Sequence, residues 1–455
     1  MAMVNFRIAM RCAVGSGLLA IAGCGAESGG DGPVAASGAA VTLNAVTRES
    51  FNNQGQQGNG SSNAPYISGN QRFVAFESQA NVWASGVDTN GTTDVYLKDR
   101  QTGSITLVSQ SGGQVGNGAS FGASVSDDGR VVFVTNATNL VPGTIGSAIL
   151  SRSPGGVLTR VDNATSGQPN GASSRAQISG DGNSVIFQSE ASNLIVGDTN
   201  NATDVFVASA LGGGVAQRVS LTNANGQPNG RSFDGSINFD GRFVAFSSDA
   251  TNIISNDGNG VTDVFARDRQ GAGVTVPISF ATTGQGGAVG NGASTQAQIS
   301  SDGHSVVFRS LATNFAADTN NVADIYFNPV GSGRSPVRVS VSSAGAQSNG
   351  ASFQSTVSAD GRAVAFVSSA TNLVAGDTNN LADVFVHDRT TGQTIRIQNG
   401  ATQPNAPAAI NSSLRFSGTP SQPSFSFLVF DSAASNLVFG DTNGFPDVFS
   451  ASLSP

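Results

Sequence analysis

Charge is what this sequence has least of. Of its 455 residues only 11% are Asp, Glu, Lys or Arg, against roughly 25% in an ordinary soluble domain. Lysine occurs once (Lys98), tryptophan once (Trp83) and histidine twice (His304 and His387). A nucleic-acid binder needs a basic surface, and a formal net charge of −8 supplies none. The 2 cysteines, Cys12 and Cys24, both lie near the N-terminus. The body of the chain therefore holds neither a disulfide framework nor a cysteine–zinc site. What is plentiful is glycine, with 58 residues, and phenylalanine, with 27, in a chain that is 38% hydrophobic. That much apolar content with little charge excludes a disordered polymer.

The N-terminal stretch reads as an address. Arg7 and Arg11 precede an apolar run from Cys12 to Ala22, too short to span a bilayer and shaped like a signal-peptide core. It ends Leu19-Ala20-Ile21-Ala22-Gly23-Cys24. This resembles the bacterial lipoprotein signal, in which small residues precede a cysteine that is lipidated and becomes the new N-terminus. The alternative is an ordinary signal cut nearby, with Cys24 incidental. The resemblance implies a signal peptide over 1–23, a lipid anchor at Cys24 and, with Gly25 in place of Asp, sorting to the outer membrane. Residues 24–40 are small and polar, as a flexible tether requires.

The remaining 41–455 is repetitive. The stretch from Asn349 to Ile397, NGASFQSTVSADGRAVAFVSSATNLVAGDTNNLADVFVHDRTTGQTIRI, recurs as seven copies spaced roughly 50–60 residues apart, a period of solenoids, propellers or arrays. A phenylalanine returns as Phe76, Phe133, Phe187, Phe246, Phe308, Phe366 and Phe430. An asparagine follows it as Asn81, Asn139, Asn193, Asn252, Asn314, Asn372 and Asn436. Each copy predicts four short strands, the first two joined by Ser-x-Asp-Gly, a tight-hairpin signal. Four strands with no helical period are one propeller blade; a β-helix would use shorter coils without the hairpins. The expected fold is all-β, a seven-bladed propeller of four-stranded antiparallel blades. Copy seven ends after its third strand, and Val41–Thr47 is predicted to complete it, so the last blade is closed by an N-terminal strand.

Ser-x-Asp-Gly-Arg-x-Val-Ala-Phe followed by Asp-Val-Phe-Val-x-Asp-x-x-Thr-Gly resembles the TolB-type, WD-repeat-like propeller, over nearly all of the mature chain. It departs from TolB in having seven copies, not six, and no evident separate α/β domain. The resemblance therefore implies the propeller and not TolB's role.

Chemistry is harder to find. His304 and His387 occupy turn positions and are expected to face solvent. Trp83 sits in the loop of blade one, as a loop anchor or a ligand platform. No nucleophile triad, phosphate loop or dinucleotide fingerprint stands out. The most suggestive motif is Asp-x-Asn-x-x-x-Asp between strands two and three: Asp88/Asn90/Asp94, Asp198/Asn200/Asp204, Asp257/Asn259/Asp263, Asp318/Asn320/Asp324, Asp377/Asn379/Asp383 and Asp441/Asn443/Asp447. Oxygen ligands at alternate loop positions suit a hard cation such as Ca²⁺, although the closing Glu of an EF-hand is absent. The same residues also suit Asx-turns, and blade two lacks both acids, so a blade is buildable without them.

The functional expectation is a monomeric lipoprotein at the outer membrane that is not an enzyme and presents its propeller to a protein or glycan partner. The alternative is a secreted enzyme, a polysaccharide lyase or glycosidase, with its site at the channel mouth. Such a site needs charged residues that break the repeat and converge on the axis. Arg175, Arg231 and Asp234 are the departures from the first-strand consensus.

Overall fold

The computed structural model describes residues 39–454 except 85, 145, 256, 272, 282–287, 332–334, 409–413 and 423–425. Cys24 and the signal sequence lie outside the described residues. Seven four-stranded antiparallel sheets follow one another along the chain. Blade one is built from Ser62–Ile67, Phe73–Ser78, Asp94–Asp99 and Ile105–Leu107. The innermost strands of the other blades are Ser120–Val125, Ser173–Ile178, Ser232–Ile237, Ser294–Ile299, Ser352–Val357 and Arg415–Phe416. Each innermost strand touches the next, and that of blade seven touches that of blade one, so they form a closed ring. Among the described residues the one helical segment is a single 3-10 turn, Val82–Ala84.

Blade seven closes as expected. Its outer strand is Thr42–Arg48, paired antiparallel with Asp447–Ser454 from Thr42↔Ser454 to Arg48↔Phe449. Pairing the two ends of the chain removes an open sheet edge, which would otherwise template aggregation.

The recurring phenylalanines explain themselves through register. In five blades the second strand sets it opposite an aromatic of the third: Phe187↔Phe206, Phe246↔Phe265, Phe308↔Tyr326, Phe366↔Phe385 and Phe430↔Phe449. Blade one pairs Phe76↔Tyr96 likewise, whereas Phe133 of blade two faces Leu150. The aromatic pairs have centroids 5.7–6.0 Å apart, within the range of favourable ring contact. Phe76 packs with Val429 and Val448 of the preceding blade, so the rings are the glue between blades.

The recurring asparagines form a clamp. Asn372 Oδ1 accepts from the Asn349 amide at 2.9 Å, while Asn349 Oδ1 accepts from the Thr371 amide at 2.8 Å. The same reciprocal pair joins Asn229 with Asn252 and Asn291 with Asn314. Each clamp pins the linker that enters a blade to the loop between that blade's second and third strands.

Candidate axial site

The innermost strands of blades one to six carry the same irregularity. Their pairing with the second strand slips after the second residue, as between Asn63 and Tyr66 or Ser174 and Gln177. The residue at the slip takes a left-handed backbone: Ala64 (φ 49°), Gly122 (63°), Arg175 (50°), Asp234 (52°), Gln296 (58°) and Gln354 (26°). A bulge of this kind re-aims side chains, and here it turns them toward the axis. They line a cavity of about 580 Å³ together with Tyr66, Glu77, Gln177, Gln298 and Arg415.

The hairpin end of this cavity is laced shut. The Asp127 amide donates to Gly180 O at 3.0 Å, that of Phe239 to Ser301 O at 3.0 Å and that of Gly418 to Gly69 O at 2.9 Å. Ser301 Oγ reaches past the adjacent blade to Gly418 O at 3.2 Å. The cavity is thus a cup that opens where the innermost strands begin, on the face of the linkers and Asp-x-Asn loops.

Within the cup Arg175 and Asp234 form an ion pair at 3.2 Å, with 65% of the Arg175 side chain exposed. Tyr66 OH accepts from Gln177 Nε2 at 2.9 Å, and the Arg415 guanidinium lies 4.8 Å above the Tyr66 ring. Gln296 Oε1 and Gln354 Oε1 are buried without a hydrogen-bond partner. Glu77 Oε1 accepts from the Gly122 amide at 2.6 Å. Burial nevertheless pushes the Glu77 carboxyl up. Asp431, at the same repeat position in blade seven, is pushed up to about 8, chiefly by burial, with the Glu77 charge adding to the shift. Of the sequence candidates the structure brings Arg175 and Asp234 together; Arg231 pairs instead with Asp249 on the surface. Tyr66, Glu77, Arg415 and Asp431 escaped the sequence reading. For Glu77 and Asp431 the one signal was a repeat column that varies from copy to copy: Glu77, Val134, Gln188, Ser247, Arg309, Val367 and Asp431.

The Asp-x-Asn loops prove to be ordered by their own side chains. The Asn donates to the second Asp in five of them: Asn90 to Asp94, Asn200 to Asp204, Asn259 to Asp263, Asn379 to Asp383 and Asn443 to Asp447. Blade five departs from the other five. Asn320, expected there as a cation ligand, donates to Ser348 O at 2.6 Å and accepts from the Val322 amide at 3.1 Å. Its amide is therefore a tie between loop and linker, and Gln347 Nε2 takes its place between the acids, 2.8 Å from Asp318 and 2.9 Å from Asp324. The second Asp also accepts from a serine just past the fourth strand, as Asp94 from Ser109 at 2.6 Å and Asp324 from Ser340 at 2.7 Å. In four blades an arginine of the fourth strand supplies the counter-charge. Arg218 reaches Asp198 and Asp204 at 3.2 and 3.3 Å, and Arg338 reaches Asp324 at 2.9 Å, with Asp318 also in its field. Arg396 Nη1 lies 2.8 Å from Asp377 and 3.3 Å from Asp383. Arg48 Nη1 lies 3.2 Å from Asp441 and 3.3 Å from Asp447. Blade two moves the acid across the sheet: Ala148 opens its third strand, and Asp162, just past the fourth, accepts from the Ile149 amide and pairs with Arg160 at 2.9 Å.

The histidines divide. His304 is exposed, as expected. His387 is buried, contrary to expectation, because its strand turns it inward to Thr394 Oγ1 at 2.9 Å. Burial lowers it to about 4, so it is neutral at pH 7. Trp83 anchors its loop, donating to Gln56 O at 3.2 Å and packing on Phe76 and Tyr96.

No protein-family model matches the sequence, and no curated protein is similar to it. Solved structures do share its architecture. An oligogalacturonate lyase from Vibrio parahaemolyticus is 12% identical over 91% of this chain and 96% of its own, with a TM-score of 0.52. An oligogalacturonate lyase in complex with manganese is 12% identical over 91% and 98%, with a TM-score of 0.50. A putative TolB from Agrobacterium tumefaciens is 14% identical over 77% and 94%, with a TM-score of 0.39. At these identities the likeness shows the propeller fold. It also corrects one expectation: propellers of this build include lyases, so the exclusion of an enzyme does not hold. That exclusion rested on finding no catalytic cluster along the chain, whereas ring geometry assembles an axial cluster from one residue per blade. A metal likewise has precedent on the fold. Among the described residues no group of three or more His, Cys, Asp or Glu side chains is placed to hold an ion, and nothing singles out calcium. Among them, too, no helix is long and apolar enough to cross a membrane.

Proposed function

We propose that this propeller takes a saccharide chain in its axial cup, at the bacterial cell envelope to which a lipid on Cys24 tethers it. The observation that carries the reading is the convergence, on the axis, of side chains that break an otherwise strict repeat: Arg175, Asp234, Gln296, Gln354, Tyr66 and Arg415. Planar amides, an arginine–carboxylate pair and an aromatic ring are groups that meet hydroxyls and sugar faces. The unpartnered oxygens of Gln296 and Gln354 need donors, which sugar hydroxyls supply. Arg175 and Arg415 favour an acidic sugar, because a guanidinium holds a carboxylate in two-point fashion.

A catalytic reading of the same cup rests on Glu77 and Asp431. Burial, with the Glu77 charge adding, pushes Asp431 up to about 8, and Glu77 lines the cup itself. Glu77, the cup-lining member of the pair and itself raised by burial, is the carboxyl placed to act as a general acid. The test is equilibrium binding to uronic-acid and neutral oligosaccharides, with product formation followed in the same samples. An acidic oligosaccharide should bind, and Arg175→Gln or Arg415→Gln should weaken it at least tenfold. Folded protein that binds none of them would remove the proposal. Turnover that Glu77→Gln abolishes without loss of binding would establish the catalytic form.

A further inference from the structure

The arginines of the Asp-x-Asn loops mark where a cation belongs. In blades six and seven one guanidinium nitrogen lies within 3.3 Å of both carboxylates. In blade three the two ends of one guanidinium do the same. The register is constant: the arginine stands opposite the third-strand aromatic, as Phe206↔Arg218, Tyr326↔Arg338, Phe385↔Arg396 and Phe449↔Arg48. Two blades with the full acid motif depart from it, blade one with Leu107 and blade four with Pro277. Blade one compensates, since the Tyr96 hydroxyl donates to Asp88. Blade four has Phe265 at that position and no hydroxyl to offer.

Blade four therefore keeps both acids and has lost both partners. Asp263 is fully buried and takes hydrogen bonds from Ser279 at 2.6 Å and Asn259 at 2.7 Å, which are neutral groups. Asp257 is 8% exposed, and its Oδ1 is buried with no hydrogen-bond partner. The Asn259 backbone amide is the group that offsets its charge. A buried carboxylate without a counter-charge is costly. The fold avoids that cost with arginine in every other blade where both acids are buried without a tyrosine.

We propose that Asp257 and Asp263 of blade four hold a hard divalent cation, in the place that an arginine nitrogen takes in blades three, six and seven. Two carboxylates give the charge, and backbone oxygens and water complete the shell, as oxygen-seeking ions accept. The site lies in the outer half of one blade and does not depend on the reading of the axial cup. It also reduces the six loops expected from sequence to one.

The test is calorimetric titration of the full chain with CaCl2 and, separately, MgCl2, alongside thermal melting in each ion and in chelator. Wild type should take up one ion per chain and melt a few degrees higher with it. Pro277→Arg should insert the missing guanidinium, bind no ion, and melt in chelator as wild type does in the ion. Asp257→Asn should bind no ion and melt identically in ion and chelator. The proposal is overturned if wild type binds neither ion, if it binds several equivalents, or if Asp257→Asn retains the stoichiometry. A wild-type melting point that rises on acidification but ignores both ions would show a shared proton in place of the metal, and would also overturn it.

Discussion

Replacing Arg396 with methionine isolates what the loop arginines contribute. Methionine keeps much of the stem's volume and removes the charge that lies 2.8 Å from Asp377 and 3.3 Å from Asp383. All three side chains are 5% exposed or less, so solvent does little to screen the loss. Removing one member of a buried ion cluster costs about 3–5 kcal/mol, because the carboxylates stay behind unpaired. Unfolding of a domain the size of Ser37–Pro455 carries an entropy of about 0.9 kcal/mol per degree, so the melting temperature should fall by about 3–6 °C at pH 8. The deficit must also depend on pH in a known direction. Burial already raises Asp383, while Arg396 opposes that rise; without the arginine its folded-state value climbs further. A carboxyl raised on folding weakens the fold above its folded-state pKa, and the penalty fades as pH falls to the unfolded value of about 4. Melting followed by circular dichroism from pH 4.5 to 8 should therefore show the two proteins converging in acid. Adding Asp383→Asn to the variant should restore most of the loss at pH 8. A deficit that is flat across pH would mean that lost packing, not stranded charge, is responsible.

Three further outcomes are expected. Deleting 42–48 strips blade seven of its outer strand and removes Arg48 from between Asp441 and Asp447. It should lower the melting temperature sharply and produce oligomers in size-exclusion chromatography, whereas a deletion of equal length within 27–36 should do neither. Asp431→Asn should stabilise the protein increasingly above pH 4, reaching its full effect above about pH 8, because the native carboxyl is pushed up to about 8 on folding and holds its proton while the unfolded chain has lost it; a pH titration of melting temperature reads this directly. Cys24→Ser should shift the protein from the membrane fraction to the soluble fraction on cell fractionation, and unchanged partition would remove the lipid anchor.

The propeller was legible because repetition exposes what architecture needs. Seven phenylalanines in one column have a common cause, and so do seven asparagines. Other features were present in the sequence without being readable. Arg218, Arg338 and Arg396 stand in the recurrent fourth strand, yet alternate residues of a strand face opposite ways. Only the register opposite Phe206, Tyr326 and Phe385 directs those guanidiniums onto the acids. The Asp-x-Asn motif consequently looked like an open ligand set when its counter-ion was already covalently present in most blades. Blade two misled in the other direction. Its missing acid is Asp162, displaced from the start of the third strand to just past the end of the fourth, a swap that linear alignment of the copies scores as a loss.

The axial cup was hidden by a single-residue slip. One step of register reverses the face to which every following side chain points, so the strand pattern alone does not say that Arg175 and Asp234 face the axis. The bulge also explains why those positions matter. A left-handed backbone costs a residue with a Cβ about 1 kcal/mol or more relative to glycine. Blade two pays nothing, with Gly122, and shows that glycine builds the bulge. Glycine is also the commonest turn residue of this chain, used at the left-handed position of hairpin after hairpin: Gly129, Gly182, Gly241, Gly303 and Gly361. Yet the bulges of blades three to six hold Arg175, Asp234, Gln296 and Gln354 in that same conformation. Glycine would relieve that strain in blades three to six, yet four long polar side chains are kept there and line one cup, which supports the saccharide-binding reading proposed above.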